Sequence, residues 1–261
     1  MKTLIKKEWK QSRKMLLVWL ALVFMLIGFC FFEYLSLKES MSEMEKMMEL
    51  FPRIMLLMFG VKADLSTALG WYSCLYFWTA ILAFAYAIYL GLSCVAKEQE
   101  RHTAEYLFTK PVAREKIVSA KVIASICNLI IFSVFYGIFA YTMIILPAGG
   151  LEQQGAEMIT VIGLFLTQLV LFSIALMISS LFSKYKSAVK AGTALLLLAY
   201  GISVVIDYNN IHFLDFLSPL RYFDAYDLIV DGFRPAYLLL TMAITVFCIW
   251  ISVVQWKKRE L

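Results

Sequence analysis

The chain has 261 residues, of which 62% are hydrophobic and 16% charged, with a formal net charge of +5. A soluble domain carries roughly 25% charged residues, so too little polar surface is present to cover a globule, and apolar spans with their connections leave no length for a soluble catalytic domain. The five cysteines (Cys30, Cys74, Cys94, Cys127 and Cys248) all lie in apolar runs and form no C-x-x-C pair, which argues against a disulfide framework or a zinc site.

A helix that crosses a bilayer takes about 20 mostly apolar residues. Runs of that length predict six spans, near 15–35, 68–96, 117–146, 157–182, 188–206 and 236–256, in one transmembrane domain over 1–261. Backbone polar groups in lipid must bond within their own segment, and the period-2 alternation of a barrel is absent, so the fold class is an all-α membrane protein. Ahead of the first span, Leu4, Ile5 and Trp9 recur at helical spacing, with Lys2, Lys6, Lys10 and Lys14 elsewhere on the wheel. That pattern predicts a short N-terminal interfacial helix that turns into the first span, or else a basic flank that only sets topology. The first apolar run is too long for a signal core and no small-x-small site follows it, so it reads as a retained span.

The connection over 36–66 carries Met41, Met44, Met47, Met48 and Phe51 as an apolar stripe, decorated by Glu39, Glu43, Glu45 and Glu49. Thioethers at this spacing are a copper(I) pattern. With no Cys or His in the segment, the expectation is a packing or membrane-lying face and no metal site.

Between the second and third spans the sequence reads Lys97-Glu98-Gln99-Glu100-Arg101-His102-Thr103-Ala104-Glu105-Tyr106-Leu107-Phe108-Thr109-Lys110-Pro111. Glu98 and Arg101 are helical neighbours, and Pro111 stops the helix because it cannot continue the backbone ladder. Tyr106, Leu107 and Phe108 form an apolar knob between charged flanks. A charged helix with an apolar centre suits docking on another protein; a solvated loop is the alternative. The last long connection, 207–235, places Asp207, Asp215, Asp224, Asp227 and Asp231 among aromatic residues. Asp224, Asp227 and Asp231 share one helical face. The spacing of a calcium loop is missing, so an acidic interface with an aromatic belt is expected.

Charge sets the orientation. With the N-terminus, the 97–116 and 183–187 loops and the C-terminus on one side, that side collects most of the 24 Lys and Arg residues, and acids dominate the other. The positive-inside rule then places both termini in the cytoplasm of a multi-pass inner-membrane protein. Clusters such as Lys6-Lys7, Arg13-Lys14 and Lys257-Lys258-Arg259 meet anionic lipid head groups, not nucleic acid.

The run Glu100-x-x-Thr103-x-Glu105-x-Leu107-x-x-x-Pro111-Val112-x-Arg114-x-x-Ile117-x-x-x-Lys121 resembles the cytoplasmic loop of type-2 ABC-transporter permeases, which often read E-x-G-T-x-E-x-L-L-x-x-P-V-S-R. His102, Phe108 and Ala113 depart from that pattern and leave the helix-then-proline logic intact. The turn Leu217-Ser218-Pro219 followed by Tyr222-Phe223-Asp224 is similar to the family as well. The resemblance implies a non-catalytic permease, and the mostly apolar spans with aromatic outer segments suit export of an amphipathic or hydrophobic compound (a peptide, an antimicrobial or a lipid-like molecule), although relatives also move ions such as sodium. It implies two permease chains, identical or different, driven by two cytoplasmic ABC ATPase chains. The main coupling helix is then Glu98 to Lys110, with Glu98, Glu100, Arg101, Thr103, Glu105, Leu107, Lys110, Pro111 and Arg114 as contact residues, and Lys184, Tyr185 and Lys186 make a second contact. ATP and Mg belong to the partner ATPase. In agreement, no G-x-x-x-x-G-K-[ST] phosphate loop occurs in these 261 residues.

Three other classes compete. A secondary transporter or channel carries ionisable residues deep in its spans, whereas Glu33, Lys121 and Glu157 lie near span edges, where long side chains reach the interface. An intramembrane enzyme needs H-E-x-x-H, G-x-S-x-G or an acid pair, and none is present, so no catalytic residues are assigned. A mechanical or sensory permease-like subunit has the same loop and stays open.

Overall fold

The computed structural model describes residues 2–37, 48, 50–65, 67–100, 114–146, 155–182 and 184–258. Among them every regular element is helical. In chain order these are α1 (Lys2–Leu37), α2 (Arg53–Met58), α3 (Ala68–Glu100), α4 (Arg114–Ala140), α5 (Ala156–Leu181), α6 (Tyr185–Asn209), α7 (Ala225–Asp231) and α8 (Pro235–Lys258). A π turn, Tyr141–Ile145, extends α4, and two 3-10 turns, His212–Leu217 and Pro219–Arg221, precede α7. Six of the helices are long and apolar enough to cross a membrane, and each contains one expected span or matches it to within a residue.

The first span differs from expectation. No separate interfacial helix turns into it: α1 runs unbroken from Lys2 to Leu37, about 54 Å at 1.5 Å per residue. Neither Gly nor Pro occurs between Lys2 and Gly28, so nothing in the sequence breaks the backbone ladder there. Its amino-terminal turns pack on α4, where Lys121 meets Glu8 at 3.0 Å and the Asn128 amide donates to Ser12 Oγ at 2.7 Å. Lys121, expected to reach for the interface, is turned inward and 8% exposed.

Helix α3 is the centre of the bundle, with 67% of its most apolar stretch buried against 17% for α1. Its main partner is α5, and α6, α1 and α4 also pack on it. The α3–α5 contact is close because Gly91 lacks a side chain: a Cβ there would lie 2.5 Å from the Phe172 carbonyl oxygen. Small residues let membrane helices approach in this way. Polar side chains then join the helices inside the bundle. Gln168 donates to the Ala83 carbonyl at 3.0 Å and accepts from Ser133 at 2.9 Å, while Ser179 donates to the Leu92 carbonyl at 3.1 Å. Because the atom facing Gly91 is backbone, Gly91→Leu is expected to separate α3 from α5 at a cost of about 3 kcal/mol, the upper range for overpacking. A lowered thermal midpoint and loss of the monodisperse peak in detergent are the readout.

The bundle has two chemically distinct ends. The basic end holds the start of α1, the end of α3, both ends of the 183 connection and the end of α8. The acidic end holds α2, the 3-10 turns and α7.

Candidate functional sites at the two ends of the bundle

At the basic end, the expected coupling residues are only partly within the described structure. Glu98 and Glu100 lie in the last turn of α3, continuous with the span, and Arg114 is the first residue of α4. Arg101, Thr103, Glu105, Leu107, Lys110 and Pro111 fall outside the described residues. The second expected contact is described. Lys184 precedes the first turn of α6 in extended conformation. Lys184 and Lys186 are exposed and Tyr185 is half-buried against the core. Lys184 and Lys186 thus present two exposed cations at the start of α6. The carboxylate of Glu8 and the ammonium of Lys121 sit in the same end of the bundle.

At the acidic end the structure assembles a site that periodicity alone did not reveal. Helix α2 closes with Gly60 in the left-handed region (φ +79°). The Val61 N–H bonds the Leu56 carbonyl at 2.9 Å and the Gly60 N–H bonds the Leu57 carbonyl at 3.0 Å, which is a Schellman closure. That closure delivers Lys62 to the bundle. Helix α6 closes with Asn210, also left-handed (φ 52°), and Arg53 donates to the Asn210 side-chain oxygen at 2.8 Å.

Between these closures lie a buried cation, Arg221, a half-buried one, Lys62, and four carboxylates. Lys62 Nζ is 3.1 Å from Asp207 and 2.9 Å from Asp224. Arg221 donates through Nη1 to Asp207 and through Nε to Asp215 at 3.1 Å, and its Nη2 lies 3.5 Å from Asp227. The side chains of Arg221 and Asp215 are each only 3% exposed. His212 flanks Asp215 at 3.7 Å. Asp224 also caps α7, accepting from the Tyr226 N–H at 3.1 Å. The acids do not line one helical face as expected: Asp224 turns to Lys62, Asp227 to Arg221, and Asp231 pairs with Arg234 at 2.7 Å on the surface. Among the described residues no cluster has the makings of a metal site, and Lys62 and Arg221 occupy the position a cation would take.

The segment from Pro219 to Asp231 sinks into the bundle. Tyr76 donates to the Phe223 carbonyl at 3.3 Å, and Tyr76 lies about 12 Å along α3 from Ala68. Gly163 of α5 makes room: a Cβ there would lie 2.4 Å from Leu228 and 3.0 Å from Phe223. Tyr222 stacks flat on Tyr237 of α8, with ring centroids 5.4 Å apart. The expected aromatic belt is thus partly a packed collar, held down by Tyr222, Phe223 and Leu228 and tied laterally by the ion network.

Burial opposes ionisation of Asp224, but the Lys62 ammonium beside it and the Arg221 charge outweigh that and hold its carboxyl below the usual range. Burial and then the charge of Asp224 push Asp227 above it. The two acids therefore act on stability with opposite sign. The contribution of ionised Asp224 is complete above its ordinary pKa and is lost as pH falls through the depressed one. Asp227 favours the folded state when protonated and opposes it once pH rises past its raised pKa. Asp227→Asn is expected to raise the thermal midpoint by about 2 °C at pH 7.5, a shift typical of well under 1 kcal/mol, and to be neutral at pH 4. Asp224→Asn should lower the midpoint at pH 7.5 and lose that effect in strong acid.

The family model described as ABC-2 family transporter protein matches residues 2–261. Comparison with curated proteins found no match.

Proposed function

Since the chain belongs to the ABC-2 transporter family, whose members are membrane transport subunits, we propose that it is the permease half of an ATP-driven exporter. The whole of 1–261 acts as one permease unit in the cytoplasmic membrane, with both termini inside. The basic end then faces the cytoplasm, as the positive-inside rule requires, and the acidic collar faces outward. A second permease chain, the same or different, completes the path. Two ABC ATPase chains bind ATP and Mg and perform the hydrolysis.

The observation that carries this reading is the family match over nearly the full chain, together with the position of the Glu98–Arg114 connection. It joins α3, the most enclosed span, to α4. A push delivered there moves the central helix of the bundle, and Lys184 and Lys186 at the start of α6 supply a second point of contact. The cargo class is amphipathic or hydrophobic: a peptide, an antimicrobial or a lipid-like compound. In this reading the buried charges tie helices together at the two ends of the bundle, and among the described residues none stands mid-span as an ion-coupling site does.

The test is purification of tagged chain from its native membrane in mild detergent, with identification of what copurifies. A stoichiometric soluble chain bearing a phosphate loop is expected. A stable oligomer of this chain alone, with no ATPase at any detergent strength, would overturn the proposal in favour of a secondary transporter or channel.

A further inference from the structure

At the basic end a groove of about 400 Å3 opens between α1 and α4, lined by Ile5, Lys6 and Trp9 from α1 and by Ala124, Cys127 and Ile131 from α4. The α4 residues recur at i, i+3 and i+7, so they share one face. Ala124 and Cys127 are small, which leaves the depression, while Ile5, Trp9 and Ile131 wall it. Its position is fixed on one flank by Glu8–Lys121 at 3.0 Å and by Asn128–Ser12 at 2.7 Å, each partner a neighbour of a groove residue in sequence or on the wheel.

Among the described residues, the exposed charges that α1 brings to the groove are positive. Lys6 is exposed at its mouth, and Lys10 and Arg13, at i+4 and i+7 from Lys6, are exposed along the same stripe. Glu8 is the only acid before Glu33, and it is turned away into Lys121. The Trp9 indole is 41% exposed, an amphipathic ring with an N–H to offer at the depth where head groups lie.

We propose that this groove is a binding site for one anionic phospholipid. An acyl chain lies against Ala124, Cys127 and Ile131, and the phosphate is met by Lys6, Arg13 and the Trp9 N–H. An apolar slot alone fits any lipid. The unbalanced cations at its mouth select the anionic head group, and the pinned α1–α4 contact makes the slot persistent. Occupancy holds the first span against α4, next to the connection that leads back to α3. The inference concerns the lipid site alone and does not depend on the ATPase.

Trp9 itself reports the site. In nanodiscs of phosphatidylcholine doped with phosphatidylglycerol brominated on its chains, the Trp9 contribution is the difference between wild type and Trp9→Phe. That contribution is expected to be quenched at a low mole fraction of brominated phosphatidylglycerol and not by brominated phosphatidylcholine at the same fraction. Lys6→Glu should raise the fraction needed by about fivefold, the scale for one basic residue at an anionic surface, and Cys127→Phe, which fills the slot, should abolish saturation. Lys7→Glu, on the far side of the α1 wheel, is the control for net charge and should have little effect. Equal quenching by both lipids, or equal effects of Lys6→Glu and Lys7→Glu, means annular lipid only and overturns the proposal. Native mass spectrometry of the same variants, with intact folded chain retaining one phosphatidylglycerol in the wild type, separates loss of the site from loss of the fold.

Discussion

Arg221→Leu is expected to lower the stability of the acidic end by about 3–5 kcal/mol, the cost of removing one partner from a buried ion pair. Three carboxylates lose the guanidinium together: Asp215 and Asp227 lose the cation they share, and Asp207 is left with Lys62 alone. Asp215 suffers most, because its side chain is 3% exposed and water cannot replace the lost donor. Lys62 cannot take over, being already shared between Asp207 and Asp224. At roughly 2–4 °C per kcal/mol for a chain of this size, the thermal midpoint in detergent should fall by about 10 °C. Arg221→Lys should recover only part, because an ammonium lacks the fork that reaches several carboxylates at once. Combining Arg221→Leu with Asp215→Asn should recover more than the single changes predict, since the stranded charge is then gone. A midpoint for Arg221→Leu within a degree of wild type would mean that Tyr222, Phe223 and Leu228 hold the collar by packing and that the ion network contributes nothing.

Why that network was hidden follows from what periodicity can carry. Spans are legible because each helix must bury or expose its own apolar run in lipid, a property of consecutive residues. The contacts of Lys62 join positions 162 residues apart, and no local pattern encodes such a pair. The Asp224, Asp227 and Asp231 spacing did suggest a shared face. It failed because Asp224 stands just before α7 as its cap, with extended backbone, so its side chain does not follow the helical phase. One signal was present: Lys62 and Arg221 are among the few basic residues in two connections where acids outnumber them and the positive-inside bias gives them no role. Similarly, the unbroken α1 was foreshadowed by the lack of any Gly or Pro before Gly28. Lys121 illustrates the reverse error. A lone lysine near a span edge is expected to reach for water, and only the position of Glu8 on another helix turns it inward.

In the proposed exporter, Glu105→Lys and Leu107→Asp should abolish transport while leaving the chain inserted and folded. Two different failures are involved. Leu107 is the apolar centre of the knob between charged flanks, and an interface anchor of this kind contributes about 2 kcal/mol or more when truncated. An aspartate in its place also buries a charge, so the ATPase should bind at least about 30-fold more weakly. Glu105→Lys reverses one charge of the docking surface, which mainly slows association and should be partly relieved by salt. Lys186→Glu, at an exposed position, should cost less than either. Coupling requires a physically continuous element that both sites can bias. In the proposed exporter α3 serves as that element, running from Ala68 beside the collar to Glu100 at the start of the connection. Tyr76 bonds to the Phe223 carbonyl near one end, so a displacement imposed at the other reaches the collar through one rigid helix. The decisive comparison is Arg221→Lys against Leu107→Asp. The first should alter transport with the ATPase still bound; the second should release the ATPase with the thermal midpoint unchanged. If Leu107→Asp and Glu105→Lys both preserve transport and the complex, the ATPase docks elsewhere, and α3 is a structural core without a coupling role.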